Sequence, residues 1–556
     1  MKHRNLYLLV ICILGAFLRF WKLENIPAGL YVDEASHGYN SYSLATTGKD
    51  EYGKSFPIFL RSFNTFASPL YAYLSVIPIK ILGLSIFSTR VISAISGTGV
   101  IILTYLILNE FSSSMLALTV SLIIAISPWG ILLSRSAFEP NLGLLFMLLG
   151  IWFLLKGLTT KFYLVLGAIS LAISGYGYHG ERLISPLILL VFLRVFRENF
   201  KNHKQLFILL PLTIGLIQLP QYIVSLGSSA NVRLTGQTYI NHILSQHYQS
   251  NVAFDSATKL YLIGKEFASQ YVSFFSPRNL FFDPDPDMQR SIPELSVLYI
   301  WMVIPFLFGI QEVKRNLSNY WLLIIWLCLL SPVPAALTKD PFSTMRAIPV
   351  FWGITIFVSV GLLKIATHIK NNNLNKTLLI FLVIVSLLQL YSSYFVLLRY
   401  ERSKTWGSAY EEFVAISQKN PQTRYILETT RDVPSHILLA FYTKVSPETF
   451  QSEYGHRSQP DYYRLTSQFD RTYTINNVTT RSINWERDIY EDQVLVGDTL
   501  SISDAQAQEH YLIKAFEIPD LTGTIQLVGF KTNPTKKCSS LTKKERNKSP
   551  CPPLTY

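Results

Sequence analysis

A series of apolar segments, each long enough to cross a lipid bilayer, constrains this chain more than any other feature. A membrane-spanning helix needs roughly 20 mostly apolar residues. The mean hydropathy of +0.27 and the 15% of charged residues agree with a polytopic α-helical membrane protein. We predict eleven spanning helices, at 5–21, 88–108, 115–133, 141–156, 162–178, 183–197, 205–225, 296–311, 319–331, 347–363 and 377–398.

One further apolar stretch, 69–86, is predicted to lie along the membrane surface as a juxtamembrane helix. Pro78, Lys80 and Gly83 interrupt it, and a lysine at the interface can reach lipid headgroups. No small-residue cleavage site follows Phe20, so we expect the N-terminal segment to be retained as a signal anchor.

The distribution of positive charge predicts which loops face the cytoplasm. With the N-terminus inside, the six predicted inner segments contain 13 lysines and arginines. Cytoplasmic loops carry such an excess, and a crossing at 69–86 would reverse it. We therefore expect the first outer loop and everything after Arg399 to be extracytoplasmic in a multi-pass cell-membrane protein. The net charge of +13 is explained by inner loops and lipid headgroups, so no nucleic-acid partner is expected.

Charged side chains concentrate on the predicted outer side. The first outer loop, 30–73, contains the acidic pairs Asp33-Glu34 and Asp50-Glu51. Charges near a membrane are costly, so they tend to be paired or functional. Carboxylates that face arginines suit a transferase with a phosphate leaving group, because a carboxylate can accept the acceptor's proton and arginines bind phosphate. The candidate donor phosphate-binding residues are Arg90, Arg135, Arg182 and Arg346.

Several short motifs in and after the first outer loop occur in a recognisable order. They are Asp33-Glu34-Ala35, Gly38-Tyr39-Asn40-Ser41-Tyr42-Ser43-Leu44, Thr47-Gly48, Asp50-Glu51-Tyr52-Gly53 and Ser68-Pro69-Leu70-Tyr71. Later motifs are Arg90 at the second helix, Ser134-Arg135 with Glu139 and Asn141, and Arg346 before the tenth helix. This order resembles bacterial membrane glycosyltransferases of the GT-C superfamily, which are related to protein O-mannosyltransferases and to the lipid A aminoarabinose transferase. The resemblance covers most of residues 1–400.

The resemblance implies the GT-C fold, with about eleven spanning helices and juxtamembrane helices in the first outer loop. It implies inverting transfer of a sugar from a polyprenyl-phosphate donor to an extracytoplasmic protein, lipid or envelope glycan. An acidic residue of the first outer loop would be the general base, which maps to Asp33, with Glu34 as the second candidate. Relatives differ in metal use and no spacing here identifies a metal site, so no cofactor is assigned and a divalent metal stays an open alternative.

The remaining candidates are predicted to contact the sugar or the acceptor. They are Tyr39, Asp50, Glu51, Tyr71, Glu139, Asn141 and His179. Structural roles are the alternatives for most of the site. These are a helix cap at Asp33-Glu34, a turn at Asp50-Glu51, a side chain reaching the membrane surface at Arg90, a loop pair of Arg135 with Glu139 and a hydrogen-bonded His179. The run Asp283-Pro-Asp-Pro-Asp287 resembles a weak cation-binding loop, but its prolines favour a rigid surface turn.

The polar segment after the last predicted span has the sequence pattern of a water-exposed domain and not that of membrane helices. A helical pattern at 406–419 and strand patterns at 424–428, 493–497, 510–518 and 524–531 predict a small α/β domain. We divide the chain into a transmembrane domain at 1–399, an extracytoplasmic α/β domain at 400–535 and a flexible basic tail at 536–556. Cys538 and Cys551 would form a disulfide outside the cell, with free thiols as the alternative.

Two other functional classes stay open. A secondary transporter also buries charges among helices, but it usually shows paired repeats and broken helices at the membrane midplane. A non-catalytic membrane protein of envelope assembly is the second alternative. The gathering of acidic and arginine residues from five predicted outer loops at one face favours an enzyme.

Overall fold

The computed structural model describes residues 2–63, 65–227, 238–240, 243, 255–429, 434–455, 462–463, 472–546 and 549–551. Helices dominate the first 401 residues. They are α1 (Lys2–Phe20), α2 (Val32–Thr47), α3 (Leu70–Leu82), α4 (Ile86–Asn109), α5 (Ser114–Ile126), α6 (Pro128–Ser134), α7 (Glu139–Gly157), α8 (Phe162–Gly177), α9 (Glu181–Val195), α10 (Leu206–Gly227), α11 (Ser256–Ser273), α12 (Val303–Arg315), α13 (Asn319–Leu330), α14 (Pro332–Ala335), α15 (Ile348–His368), α16 (Asn372–Leu390) and α17 (Leu398–Glu401). Short 3-10 or π-helical turns occur at Arg197–Phe200, Arg278–Phe282, Ile300–Met302 and Tyr391–Leu397.

Each of the eleven predicted spanning segments contains a helix. Among the described residues, five helices are long and apolar enough to cross a membrane, or six if the bent pair α5 and α6 is one span. These helices are those of an integral membrane protein, and the count of eleven crossings stays a prediction. The segment 296–311 is helical only from Ile300, so its first residues were wrongly predicted as helix.

The predicted span at 115–133 is two helices that meet at an angle of 58°. Ser127 between them is extended, with ψ 140°, and Pro128 begins α6. A proline disfavours the helical conformation of the residue before it and supplies no N–H for the preceding turn. The break therefore follows from Pro128, which the hydropathy pattern alone does not register.

The first outer loop folds into α2, a short hairpin and α3. Asp33 and Glu34 lie in the first turn of α2, where acidic side chains are favourable, and the helix ends at Gly48 with φ 70°. The hairpin strands are β1 (Leu60–Ser62) and β2 (Thr65–Ala67), which pair antiparallel. With 13 residues, α3 is about 20 Å long, too short for an apolar bilayer core of about 30 Å.

The C-terminal part contains a six-stranded mixed sheet in the order β4-β5-β3-β6-β8-β7. Its elements are α18 (Ala409–Lys419), β3 (Tyr425–Leu427), α19 (Ser435–Thr443), α20 (Pro447–Tyr454), β4 (Tyr473–Ile475), β5 (Val478–Thr480), a 3-10 turn at Asp488–Tyr490, β6 (Val494–Gly497), α21 (Asp504–Glu509), β7 (Ile513–Pro519) and β8 (Ile525–Lys531). Strands β5, β3 and β6 run parallel. The helix and four strands predicted from sequence are confirmed, whereas α19, α20, α21, β4 and β5 were not predicted.

The predicted flexible tail begins with structure. Two short helices, α22 (Pro534–Ser540) and α23 (Lys543–Arg546), follow the last strand. Cys538 and Cys551 form a disulfide with a Cα–Cα distance of 5.7 Å, as one of the two alternatives predicted. Residues 547–548 and 552–556 lie outside the described residues, so flexibility there stays a prediction.

The C-terminal part packs directly on the first outer loop. Tyr39 of α2 lies in the same apolar cluster as Phe441 and Phe450, and its hydroxyl donates to the Val445 carbonyl at 3.1 Å. The Gln451 amide donates to Ser43 Oγ at 2.8 Å. The first outer loop and the C-terminal part therefore lie on the same side of the membrane, as predicted.

Candidate functional site

One face of α2 presents a carboxylate and an imidazole. Asp33 and His37 are four residues apart and so lie on the same side of the helix. Asp33 is partly exposed, and His37 is buried, with Nε2 3.2 Å from Glu139 Oε1 at the start of α7. The ring of Tyr71 supports His37, with centroids 5.2 Å apart. Asp33, His37 and Glu139 form what we call the acidic cluster.

His37 is the functional candidate that the sequence prediction missed. Burial lowers the pKa of its imidazole, but the carboxylates of Glu139, Asp33 and Glu34 outweigh this effect, and the net shift is upward. His37 therefore favours its charged form beside the two partly exposed carboxylates. The i, i+4 spacing from Asp33 was the signal in the sequence that could have identified it.

Glu34 is fully buried and held by charge and hydrogen bonds. Arg90 Nε donates to Oε1 at 2.9 Å, and a second nitrogen of Arg90 donates to Oε2 at 2.8 Å. The Ala137 N–H donates to Oε1 at 2.7 Å. Both oxygens of Glu34 are therefore occupied by a charge-assisted bidentate pair. The neighbouring Asp33 has a different environment, because it is partly exposed at the surface of the cluster.

Arg90 was predicted to bind donor phosphate, and the structure contradicts this. A guanidinium has five N–H donors. All five donate within the protein, two to Glu34 and the others to the carbonyls of Leu23, Pro27 and Gly29. Arg90 is fully buried and has no N–H left for a ligand.

Arg135 has a comparable structural role. Its two terminal nitrogens donate to four carbonyls at and after the C-terminal end of α1, those of Leu18, Arg19, Lys22 and Ile26. A cation at this position satisfies carbonyls that have no partner within the helix. The predicted phosphate contact is therefore wrong for Arg135, and its alternative pairing with Glu139 is replaced by the contact of Glu139 with His37.

Three predicted sugar or acceptor contacts are also buried structural residues. Tyr39 binds the Val445 carbonyl, Tyr71 donates to the Thr89 carbonyl at 2.8 Å, and the Asn141 amide donates to the Ser93 carbonyl at 3.0 Å. These side chains position α2, α4 and α7 around the cluster. Their polar groups form hydrogen bonds within the protein, so these bonds give no evidence of a ligand contact.

Asp50 and Glu51 form a buried turn, which was the structural alternative. Asp50 accepts from the backbone N–H of Tyr52 and Lys54 and from the hydroxyl of Tyr462. Burial raises the pKa of Asp50 to about 6 despite these bonds. Burial also raises the pKa of Glu51 to about 8, although a hydrogen bond from the Asn40 amide opposes the shift. A direct acceptor contact from either carboxyl is contradicted by their burial.

Arg182 and His179 remain partly exposed at the start of α9. His179 Nε2 lies 2.9 Å from the Phe66 carbonyl, and Nδ1 contacts a terminal nitrogen of Arg182. The Arg182 guanidinium stacks on Phe59 of the first outer loop at 4.3 Å. These contacts place one of the predicted phosphate-binding arginines against the hairpin of the first outer loop.

Arg346 belongs to a larger charged cluster that the sequence prediction identified only in part. It forms an ion pair with Asp340 at 2.8 Å. Asp340 also accepts from Arg290 at 3.2 Å, and Arg290 contacts Asp287 at 3.1 Å. We call this the arginine–aspartate cluster; Arg290 was not predicted as a site residue, although it follows the acidic run at 283–287.

Tyr31 links the two clusters. Burial raises the pKa of its phenol, and the negative charges of Asp33 and Asp287 add to this shift. Tyr31 is therefore close to both Asp33 and the arginine–aspartate cluster. Within the described parts of the chain, no group of three or more His, Cys, Asp or Glu side chains is arranged to hold a metal ion.

Comparison with known proteins gives a match in structure. No family model and no curated protein matches the sequence. ArnT from Cupriavidus metallidurans in the apo state has a TM-score of 0.52 at 10% identity, covering 96% of this chain and 98% of that chain. The same protein bound to undecaprenyl phosphate has a TM-score of 0.53 at 12% identity, covering 95% and 98%.

A weaker match is an Archaeoglobus fulgidus oligosaccharyltransferase tethered with an acceptor peptide. Its TM-score is 0.48 at 12% identity, with 95% of this chain and 74% of that chain covered, and this likeness is too low to carry an argument. The match to ArnT, a GT-C membrane glycosyltransferase, extends over nearly the whole of both chains. It shows that this chain has the GT-C fold, as the sequence motifs predict.

Proposed function

We propose that the protein is an inverting glycosyltransferase that moves a sugar from a polyprenyl-phosphate donor to a hydroxyl-bearing extracytoplasmic acceptor. The observation that carries the proposal is that the two residues of the first acidic pair have different environments. Glu34 is paired with Arg90, whereas Asp33 stays partly exposed near His37, which in turn contacts Glu139. The fold agrees with it, because the similar ArnT was solved bound to undecaprenyl phosphate.

Asp33 is the proposed general base. Its carboxylate takes the proton of the acceptor hydroxyl while that oxygen attacks the anomeric carbon from the face opposite the phosphate. The bond between the anomeric carbon and the phosphate oxygen breaks, and polyprenyl phosphate leaves with the electron pair. Attack from the opposite face inverts the configuration at the anomeric carbon.

His37 and Glu139 are proposed positioning residues. The charged form of His37, favoured by its raised pKa, neutralises part of the negative charge around Asp33. Glu139 fixes the imidazole through the 3.2 Å contact at the N-terminus of α7. The donor phosphate is proposed to meet arginines that keep partial exposure, Arg182 and Arg346, with Arg290 beside the latter. No metal ion is assigned to this reaction.

The proposal is tested with purified protein in nanodiscs. The donors are polyprenyl-phosphate hexoses and pentoses, and the acceptor is the envelope fraction of a strain that lacks the protein. We expect release of polyprenyl phosphate from at least one lipid-linked donor and new glycans by mass spectrometry. No Gly-rich nucleotide-binding loop occurs on the predicted cytoplasmic side, so soluble nucleotide sugars should give no turnover. Efficient transfer from a nucleotide sugar, or no release from any lipid-linked donor, would refute the proposal.

A further inference from the structure

The C-terminal sheet carries a cavity that shares no residue with the acidic cluster or the arginine–aspartate cluster. It lies at the carboxyl ends of the adjacent parallel strands β3 and β6, where the chain leaves the sheet at Glu428 and Asp498. Its volume is about 130 Å³, which is room for several water molecules. In open α/β sheets, ligand sites lie outside the carboxyl ends of the strands.

One side chain in the wall points to a ligand. Gln526 of β8 is buried, with 6% of its surface exposed, and lines the cavity. Its Oε1 accepts the Ala409 N–H at 3.0 Å, which fixes the orientation of the amide. Its Nε2 is buried and has no hydrogen-bond partner. An unsatisfied buried donor destabilises the fold unless a ligand supplies the acceptor.

The rest of the lining restricts what that ligand is. Glu428, Asp498 and Lys404 give a formal charge of −1, so an anion such as a phosphate is disfavoured. Tyr410, Leu427 and Leu527 supply an aromatic and apolar wall. A neutral ligand that accepts a hydrogen bond from Gln526 and also donates towards carboxylates matches this lining, and hydroxyl groups do both.

We infer that this cavity is a saccharide-binding site for a neutral sugar unit. Sugar hydroxyls accept from Gln526 and donate to the acidic side of the cavity, while the ring packs on the apolar wall. This cavity is separate from the proposed catalytic residues. A result that refutes sugar binding here would not refute the proposed glycosyl transfer, and a result that refutes the glycosyl transfer would not refute sugar binding.

The test is binding of neutral sugars to the full chain in nanodiscs, because maltoside detergents carry sugar headgroups that would compete. The panel is glucose, mannose, galactose, N-acetylglucosamine and maltose, with glucose 6-phosphate as the anionic probe, measured by saturation-transfer NMR and calorimetry. We expect at least one neutral sugar to bind, and the anionic probe to bind more weakly.

Gln526→Glu tests the assignment because it keeps the acceptor for the Ala409 N–H and replaces the free donor by an oxygen. We expect at least about a tenfold loss of affinity. Gln418→Glu adds the same charge at an exposed position of α18 and should leave binding unchanged. The inference fails if no neutral sugar binds, if Gln526→Glu binds normally, or if Asp33→Asn rather than Gln526→Glu abolishes binding.

Discussion

Buried arginines explain why several predicted site residues have structural roles. Arg19, Arg90 and Arg135 are fully buried, and each donates to backbone carbonyls. Carbonyls at the end of a helix or in a loop have no partner within a regular element. These guanidinium groups supply hydrogen bonds that water would otherwise supply. A residue at the end of an apolar segment is therefore not a ligand contact merely because it is charged.

The acidic cluster shows how much of the site the sequence predicts. The motif order located Asp33 and Glu139, and the structure brings them together around His37. The motif order did not distinguish the role of Glu34 from that of Asp33. Their roles differ because Glu34 pairs with Arg90, which is 56 residues away along the chain. The roles of Arg90 and Arg135 were not predictable, because most of their acceptors are main-chain carbonyls that no residue type reveals.

Glu34→Gln should destabilise the fold. The substitution leaves the buried Arg90 charge without its partner, and breaking a buried ion pair from one side costs about 3–5 kcal/mol. We expect a clear fall in the melting temperature of the purified protein. Glu24→Gln, which changes an exposed glutamate before the same loop, is the matched control and should melt like the wild type. Equal melting of Glu34→Gln and wild type would contradict the structural role.

At the scale of elements, α2 joins the two parts of the molecule. Its first turn carries Asp33, while Tyr39 and Ser43 bind α20 and the segment before it. Juxtamembrane helices were predicted in this loop, and the structure has the helices α2 and α3 there. Their position at the membrane surface stays a prediction. The hairpin β1–β2 was not predicted, because three-residue strands leave no periodic pattern.

Stability at the turn after α2 should depend on pH through Glu51. Burial raises its folded-state pKa to about 8, above its ordinary value of 4.5, so the folded protein holds a proton that the unfolded chain releases. This stabilising effect is complete below about pH 4.5 and is lost as the pH rises towards 8.

Glu51→Gln removes that titration. Gln keeps an acceptor for the Asn40 amide but cannot ionise. The stability of the variant relative to wild type should therefore increase between pH 4.5 and 8, by at most a few kcal/mol. The measurement is a series of melting temperatures across this range, with the exposed Glu453→Gln as control. A difference that is independent of pH would contradict the raised pKa.

At the scale of the whole molecule, the contact between α2 and the C-terminal part constrains topology. Both must lie on one side of the membrane, so the chain between them crosses it an even number of times. The predicted scheme has ten crossings there and satisfies this condition. A crossing by α3 would add an eleventh, and its length of 13 residues also argues against one.

Reporter fusions test on which side of the membrane α2 and the C-terminal part lie. A reporter after residue 200 or 370 should be cytoplasmic, and one after 60 or 420 extracytoplasmic, because the predicted inner segments hold 13 lysines and arginines. Cytoplasmic activity of the fusions after 60 and 420 would reverse the orientation and place the proposed site inside the cell.

The overall architecture was more predictable from sequence than the site. Long apolar runs and alternating strands depend on local composition, so the helices of the bundle and four of the six strands in the C-terminal sheet were found. The break at Pro128 is a local effect of the proline that hydropathy does not register. The packing of α19 and α20 on α2 depends on contacts between distant residues. Such contacts leave little trace in hydropathy, so the shared core of the two parts emerged only from the structure.

The central claim is that Asp33 is the general base, and turnover of Asp33→Asn tests it most directly. Asn preserves size and hydrogen bonding but cannot take the proton, so kcat for polyprenyl phosphate release should fall at least about 100-fold, with donor binding and melting temperature unchanged. Asp492→Asn, an exposed control in the C-terminal part, should keep full activity. Near wild-type turnover of Asp33→Asn would contradict the account.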